Sequence, residues 1–211
     1  MQLNVDKSKM MIFNFTRNYQ FTTNISHNGD DMEVINETKL LGTIITNDLK
    51  WHRNTQDLVK RANARMRILH KIAEFSAPKE DMVQIYISYI RSILEQSCTV
   101  WHSSLTLEDI EDLERVQKSA MRIILKDGYH TYDQALETLG LCKLSDRREK
   151  MCLKFAKNCS KNELTKDLFP LNPTSGMGTR DKQTFKVQHS NTDRLKDSAV
   201  PYLQRLLNSN Q

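Results

Sequence analysis

Lys60, Arg67 and Lys71, separated by seven and four positions, are the side chains whose spacing most clearly suggests chemistry. On a helix those intervals bring three cations to one side, flanked by Arg61, because residues three, four and seven apart share a face. A ridge of that kind neutralises phosphates and releases their counterions, which gives affinity for nucleic acid without dependence on base sequence. The competing role for any such run is a solvated helix face. A second cluster, Arg147, Arg148, Lys150, Lys154 and Lys157, is diluted by Asp146 and Glu149 and reads as the weaker of the two.

Other chemistries find less support. Two-metal catalysis needs several carboxylates converging on ions about 4 Å apart. Asp30-Asp31 follows Asn28-Gly29 and reads as the solvated exit of a turn. Glu80-Asp81, Glu108-Asp109 and Glu111-Asp112 fall in the first turns of expected helices, where they complement the helix dipole. Cys98, Cys142, Cys152 and Cys159 form no C-x2-C or C-x4-C pair, so zinc ligation is not expected and the thiols read as free. His27, His52, His70, His102, His130 and His189 are scattered, with no H-E-x-x-H motif. There is no G-x-S-x-G elbow and no phosphate-binding G-x-x-x-x-G-K-[ST] loop, and Gly176 and Gly178 follow no strand. No metal site is assigned.

The elements that must position the cations follow from hydrophobic period. Met10–Phe15 reads as a short buried strand, FTTNIS-NG-DMEVIN as a hairpin, and Leu40–Thr46 as a third β run in which Gly42 marks a bulge or a close backbone approach. From Trp51 the period changes. Leu58, Ala62, Met66, Leu69 and Ala73 predict a helix over 53–75. Ser76-Ala77-Pro78 breaks it and opens a second helix burying Met82, Ile85, Tyr86, Tyr89, Ile90 and Ile93. Thr106 with Asp109 predicts a capping box for a third, with Leu107, Ile110, Leu113, Ala120 and Ile124 inward and Asp127-Gly128 at its end. Thr131 caps a short helix closed by Gly140, and Ser145 caps another running to Cys159. Trp51, Trp101, Met66 and Met82 are expected in the core, and Arg91 is expected to pair with Glu95. The fold class is α+β, a small antiparallel sheet followed by a mainly helical bundle. Its expected divisions are a β segment at 1–50, a helical domain at 51–169, and a flexible tail at 170–211 ending in a short helix near Val200–Leu207.

The chain has 211 residues and a formal net charge of +5. The charge is concentrated: residues 51–75 hold six Lys or Arg against Asp57 and Glu74, a net +4. No apolar run approaches the roughly 18 residues of a membrane span, and MQLNVDKSKM has no apolar signal core. No membrane partner is expected, and the expected location is intracellular, cytoplasmic or nuclear, in a reducing compartment.

Several segments, in order, carry a family likeness. LNVDKSKMMIF (Leu3–Phe13), KLLGTIITNDLKW (Lys39–Trp51), the basic helix, IYISYIRSILEQSCTVWHSSL (Ile85–Leu105), LERVQKSAMRII (Leu113–Ile124), YDQALETLGLCKLSDRREKMCLKFA (Tyr132–Ala156), LFPLN (Leu168–Asn172) and SAVPYLQRLLN (Ser198–Asn208) together resemble the palm end and thumb of reverse transcriptases. The likeness is to the non-LTR (LINE-type, jockey-like) retrotransposons. It implies an RNA-directed DNA polymerase whose catalytic aspartates lie on strands upstream of Leu3, so this chain alone would lack polymerase activity. By resemblance Lys7 takes the late-palm lysine position, Leu41-Gly42 the strand turn called the primer grip, and Lys60, Arg61, Arg67 and Lys71 the helix facing nucleic acid. Mg2+ would belong to the complete enzyme, with no cofactor in this chain.

The function expected is therefore binding of an RNA or RNA–DNA template–primer duplex, with docking to palm and fingers portions that this chain lacks. The alternatives are a helical protein-interaction module, or a decayed reading frame with no selected activity.

Overall fold

The computed structural model describes residues 8–15, 26–27, 30–173 and 184–210. It divides into two compact units, 1–57 and 58–211. The fold class is the expected one: a small antiparallel β element, then a helical bundle.

In the first unit β1 (Lys9–Met10) pairs in parallel with β4 (Glu33–Val34), and β2 (Ser26–His27) pairs antiparallel with β3 (Asp30–Asp31). The longest ladder joins β5 (Glu37–Leu40) to β6 (Thr43–Thr46), antiparallel. Of the expected strand over Met10–Phe15 only Met10 lies in β1, and Leu40–Thr46 is the end of β5, a turn and β6. Asn28 and Gly29 lie outside the described residues.

Gly42 does not mark a bulge. With Leu41 it forms the two-residue turn of the β5–β6 hairpin, at φ 84° for Gly42 and 49° for Leu41. Positive φ at both central positions matches a type I′ turn, whose twist suits the flanking strands. Glycine takes that geometry freely; leucine does so at a cost, because its Cβ crowds the backbone. The hairpin is fastened by Asn54, whose Oδ1 accepts from the Ile44 amide at 3.0 Å. After β6, Asp48 organises the chain by accepting from the Thr46 hydroxyl at 2.7 Å and the Lys50 amide at 3.1 Å. Burial would raise its carboxyl, but these bonds and the Lys50 charge hold it below the ordinary value.

Helix α1 (His52–Glu74) carries the predicted apolar stripe, and Leu58, Ala62, Met66, Leu69 and Ala73 are all buried. Ser76, at φ 56°, ends the turn after it, and the Lys126 ammonium donates to the Ala73 carbonyl at 2.9 Å. That lysine satisfies a carbonyl at the negative end of α1, as a C-terminal cation should.

Helix α2 (Lys79–Ile85) runs on as a π-helical segment, Tyr86–Arg91, into α3 (Ser92–Leu94). The wider π turn shifts the inward register. Tyr86 and Ile90 are buried as expected and Arg91 joins them, while Tyr89 is turned out and half exposed. Beyond it come α4 (Cys98–Trp101) and α5 (Leu107–Leu125). The Thr106–Asp109 capping box is present, and Leu107, at the helix start, is exposed rather than inward. Lys126, at φ 49°, leads a 3-10 turn over Lys126–Gly128 where the sequence suggests that Asp127-Gly128 ends the helix.

Thr131 caps α6 (Tyr132–Thr138), and Gly140 closes it at φ 63°. Ser145 does not cap the next helix. Helix α7 (Leu144–Cys159) begins one residue earlier, and the Ser145 amide donates to Glu114 Oε1 at 2.9 Å. That carboxylate belongs to a buried polar chain. Tyr86 donates to Gln117 Oε1 at 2.6 Å, the Gln117 amide donates to the Tyr132 hydroxyl at 2.7 Å and the Cys142 carbonyl at 3.0 Å, and Tyr132 donates to Glu114. Burial pushes the Tyr86 and Tyr132 phenols well above their ordinary range, so both remain donors.

The described part of 170–211 is fastened to the bundle. After a short α8 (Asp193–Lys196), α9 (Ala199–Ser209) buries Leu203, Leu206 and Leu207 against Cys152, Ala156 and Phe169. Asn208 brackets Phe185, accepting from its amide at 3.0 Å and donating to its carbonyl at 2.9 Å. Gln204 links the Gln188 amide to the Leu168 carbonyl, at 2.7 Å each. The expected terminal helix is present and is longer than the turn or two its sequence suggests.

The strained turn makes a prediction. Leu41→Asn creates the Asn-Gly pair that a type I′ turn prefers, and should stabilise the hairpin by about 1 kcal/mol. Amide exchange over residues 37–46 should slow roughly fivefold, while Gly42→Ala should speed it. Unchanged or faster exchange in Leu41→Asn would contradict the turn assignment.

Candidate nucleic-acid interface

Opposite its buried stripe, α1 exposes Lys60, Arg67 and Lys71. At 1.5 Å per residue they lie about 10 Å and 6 Å apart along the axis. Arg67 makes only a long contact to its own helix, Nε to the Ala64 carbonyl at 3.4 Å, and its guanidinium stays at the surface.

The other cations of residues 51–75 are committed elsewhere. Arg53 pairs with Glu37 at 3.0 Å. Arg61, which the sequence places beside the ridge, turns its fork onto Gln96 Oε1, with both terminal nitrogens at 3.1 Å. Arg65 lies over the Tyr89 ring at 5.0 Å and donates to the Tyr89 carbonyl at 2.9 Å. Arg65 has no place in the sequence-derived site, and the signal for it was the exposed Tyr89 that the π turn rotates outward. The block of net +4 therefore leaves Lys60, Arg67 and Lys71 without a partner from another element, while the exposed Arg53 and Arg65 and the half-buried Arg61 are engaged with Glu37, Tyr89 and Gln96.

Gly42 sits in its hairpin turn beside Leu41, which is 88% exposed. Lys7 lies outside the described residues. Phe13, Phe15, Val34 and Leu40 are also substantially exposed in the same unit.

The second sequence cluster divides. Arg148 is fully buried, on the stripe Leu144–Arg148–Cys152–Ala156 that steps by four along α7. That spacing was its signal, since a strict i+4 series places Arg148 among inward positions. Its Nε approaches His102 Nδ1 at 3.4 Å, and its guanidinium lies 5.8 Å from the Trp101 ring centre. Arg147 donates to Glu95, which also faces Arg91 at 3.8 Å, so the expected Arg91–Glu95 pair exists and has a third member. Trp101 is buried, with its indole N–H on the Gln96 carbonyl at 2.9 Å.

This inner group has marked electrostatics. Burial, then the Arg148 charge, pushes the His102 imidazole down to about 4. The hydrogen bond with Cys152 leads the causes that lower the Cys98 thiol, and the same contact with burial raises Cys152. Within this cluster both terminal nitrogens of Arg148 are buried without a hydrogen-bond partner. Among the described residues no three His, Cys, Asp or Glu side chains converge as metal ligands, and no helix is long and apolar enough to cross a membrane.

Comparison of the chain with protein-family models, with curated proteins and with solved structures finds no match. The geometry itself defines an α+β protein with a cationic ridge on the long first helix of its bundle.

His102 yields a pH prediction. Its folded value lies below the unfolded 6.5, so the unfolded chain takes up a proton the folded chain refuses. Stability should fall as pH drops from about 6.5 towards 4, then level off in this contribution. His102→Asn, which keeps an acceptor for Arg148, should flatten that slope in urea midpoints measured across the window. A slope identical to wild type would contradict it.

Proposed function

We propose that this chain corresponds to the palm end and thumb of a LINE-type reverse transcriptase, and that it binds template–primer duplex through Lys60, Arg67 and Lys71. The observation that carries the reading is the arrangement on α1: Lys60, Arg67 and Lys71 exposed opposite a buried stripe, with Arg53, Arg61 and Arg65 engaged by Glu37, Gln96 and Tyr89. The family likeness of the ordered segments from Leu3 to Asn208 supports the same assignment.

On this reading α1 supplies sequence-tolerant phosphate contacts, and the Leu41-Gly42 turn supplies a backbone edge beside the primer. Arg61 serves the site indirectly, by fastening α1 through Gln96. Mg2+ belongs to the complete enzyme. The described carboxylates do not converge to hold it: Asp109 is spent in its capping box, and Glu95 and Glu114 are bonded to Arg147 and Tyr132. We assign no polymerase step to this chain alone, and the aspartates of such a step would lie on a palm and fingers portion that docks to it. The exposed apolar side chains of the first unit favour that docking, and they equally favour the alternative of a protein-interaction module.

Fluorescence anisotropy with a labelled RNA–DNA duplex tests the binding. Three phosphate contacts imply a slope of log K against log salt near −2.7, about a 40-fold loss between about 50 and about 200 mM salt. Lys60→Glu, Arg67→Glu and Lys71→Glu together should abolish most of the affinity and flatten the slope. Undiminished binding by that variant would overturn the reading. Primer extension by this chain mixed with an upstream palm–fingers fragment tests the polymerase assignment, and no incorporation would count against it.

A further inference from the structure

Cys98 and Cys152 meet in the interior with a chemistry that the duplex reading does not use. Cys98 opens α4 and Cys152 lies midway along α7. Two contacts one helical turn apart set the register between them. Arg148 Nε approaches His102 Nδ1 at 3.4 Å, and Cys152 Sγ lies 4.0 Å from the Cys98 carbonyl. His102 follows Cys98 by four positions and Arg148 precedes Cys152 by four, so the two segments run in opposite directions and carry the thiols side by side. The thiols share a hydrogen bond, and each cysteine is only 1% exposed.

A buried thiol is ordinarily inert, because an apolar interior disfavours the thiolate that is the nucleophile. Here the interior holds an uncompensated cation. Both terminal nitrogens of Arg148 are buried without a hydrogen-bond partner, and a guanidinium keeps its charge. The carboxylates within its field are engaged elsewhere. Glu95 is bonded to Arg147 and faces Arg91, and Glu114 is bonded to Tyr132 and the Ser145 amide. His102, against the same guanidinium, is held neutral. A thiolate at Cys98 is the anion that Arg148 lacks. The Cys152 hydrogen bond and then the Arg148 charge lower the Cys98 thiol, against burial and Glu95, while Cys152 is held protonated as the donor.

We propose that Cys98 and Cys152 form a peroxide-reactive dithiol that closes to a reversible disulfide between α4 and α7, with Arg148 as the charge that activates Cys98. The oxidant is a hydroperoxide of near-water size, because so deeply buried a sulfur admits nothing as large as glutathione disulfide. The Cys98 thiolate attacks one oxygen of hydrogen peroxide and the O–O bond breaks. The departing hydroxide takes up the proton that Cys98 gave up and leaves as water, and Cys98 becomes a sulfenic acid. Cys152 then attacks that sulfur. The S–O bond breaks, the S–S bond forms, and the thiol proton leaves in a second water. Two thiols have lost two electrons and two protons, and the peroxide has been reduced to two waters. In a reducing compartment such a link is transient, and while it lasts it ties α4 covalently to α7.

The full chain is treated with hydrogen peroxide, quenched by alkylation, digested without reductant and mapped by mass spectrometry. A single link, Cys98 to Cys152, is expected, and dithiothreitol should reverse it. Glutathione disulfide at equal oxidising equivalents should instead modify the half-buried Cys142 and Cys159 and leave the inner pair reduced. Cys152→Ala should halt the reaction at a Cys98 sulfenic acid that dimedone traps, whereas Cys98→Ala should leave Cys152 unmodified. Arg148→Gln should slow link formation roughly tenfold, and Arg148→Lys should restore most of the rate. The dimedone trap reads the activation of Cys98 with Arg148 in place, so the test stands even where an Arg148 variant fails to fold.

An inner pair that stays reduced while Cys142 or Cys159 oxidises would overturn the proposal. So would a mixture of links among the four cysteines, or a Cys98–Cys152 link that forms no faster in the folded chain than in urea, since neither result needs the packed register. Dimedone trapped on Cys152 in place of Cys98 would refute the assignment of the nucleophile.

Discussion

A guanidinium does not give up its charge inside a protein, so every arginine must either find acceptors or face water. That constraint organises the helical unit. Arg61, Arg65, Arg91 and Arg147 are drawn against Gln96, the Tyr89 carbonyl or Glu95. Arg148 is the exception, lying between Trp101 and His102 with both terminal nitrogens buried and without a hydrogen-bond partner. Lys60, Lys71, Lys150, Lys154 and Lys157 stay outside, where a strongly hydrated ammonium loses nothing. Arg67, exposed with the lysines, contacts only its own helix. The planar, many-donor side chains hold helices together, and the point charges are left in water.

The same constraint explains why the interior is polar where the helices meet. Burying Arg148 on an apolar stripe requires neutral or anionic neighbours, and His102 is held uncharged beside it. Glu114 is fixed by the Ser145 amide and the Tyr132 hydroxyl, and Gln117 spans Tyr86, Tyr132 and the Cys142 carbonyl. Such bonds contribute only about 1 kcal/mol each when made, yet an orphaned partner costs more, so the network fixes one register of α5 against α7.

Much of this is readable in the residues. The steps of three and four from Leu58 to Ala73 locate α1 within a residue or two, and Thr106 and Thr131 announce their helices, because those signals are local. The ridge of Lys60, Arg67 and Lys71 follows directly from the same periodicity. What escapes is non-local. The π turn moves Tyr89 out and Arg91 in, and no helical period of 3.6 predicts such a slip. Arg61 looks like a ridge member until Gln96, 35 positions away, is brought beside it. The bracket of Asn208 around Phe185 likewise uses side-chain amides in place of a strand, which leaves no pattern in the intervening sequence. The β region was legible in kind but not in extent, since two-residue ladders depend on pairing partners rather than on their own composition.

The claim that the arginines build the fold while the outward cations bind is tested most directly by Arg61→Gln combined with Arg65→Gln. This variant removes both charges together with the fork on Gln96 and the stack on Tyr89. The urea midpoint and the salt slope of duplex binding are measured on the same protein. The account predicts a lower midpoint with the salt slope unchanged. An unchanged midpoint with a slope shallower by one or two contacts would contradict it, because those arginines would then be meeting phosphate rather than protein.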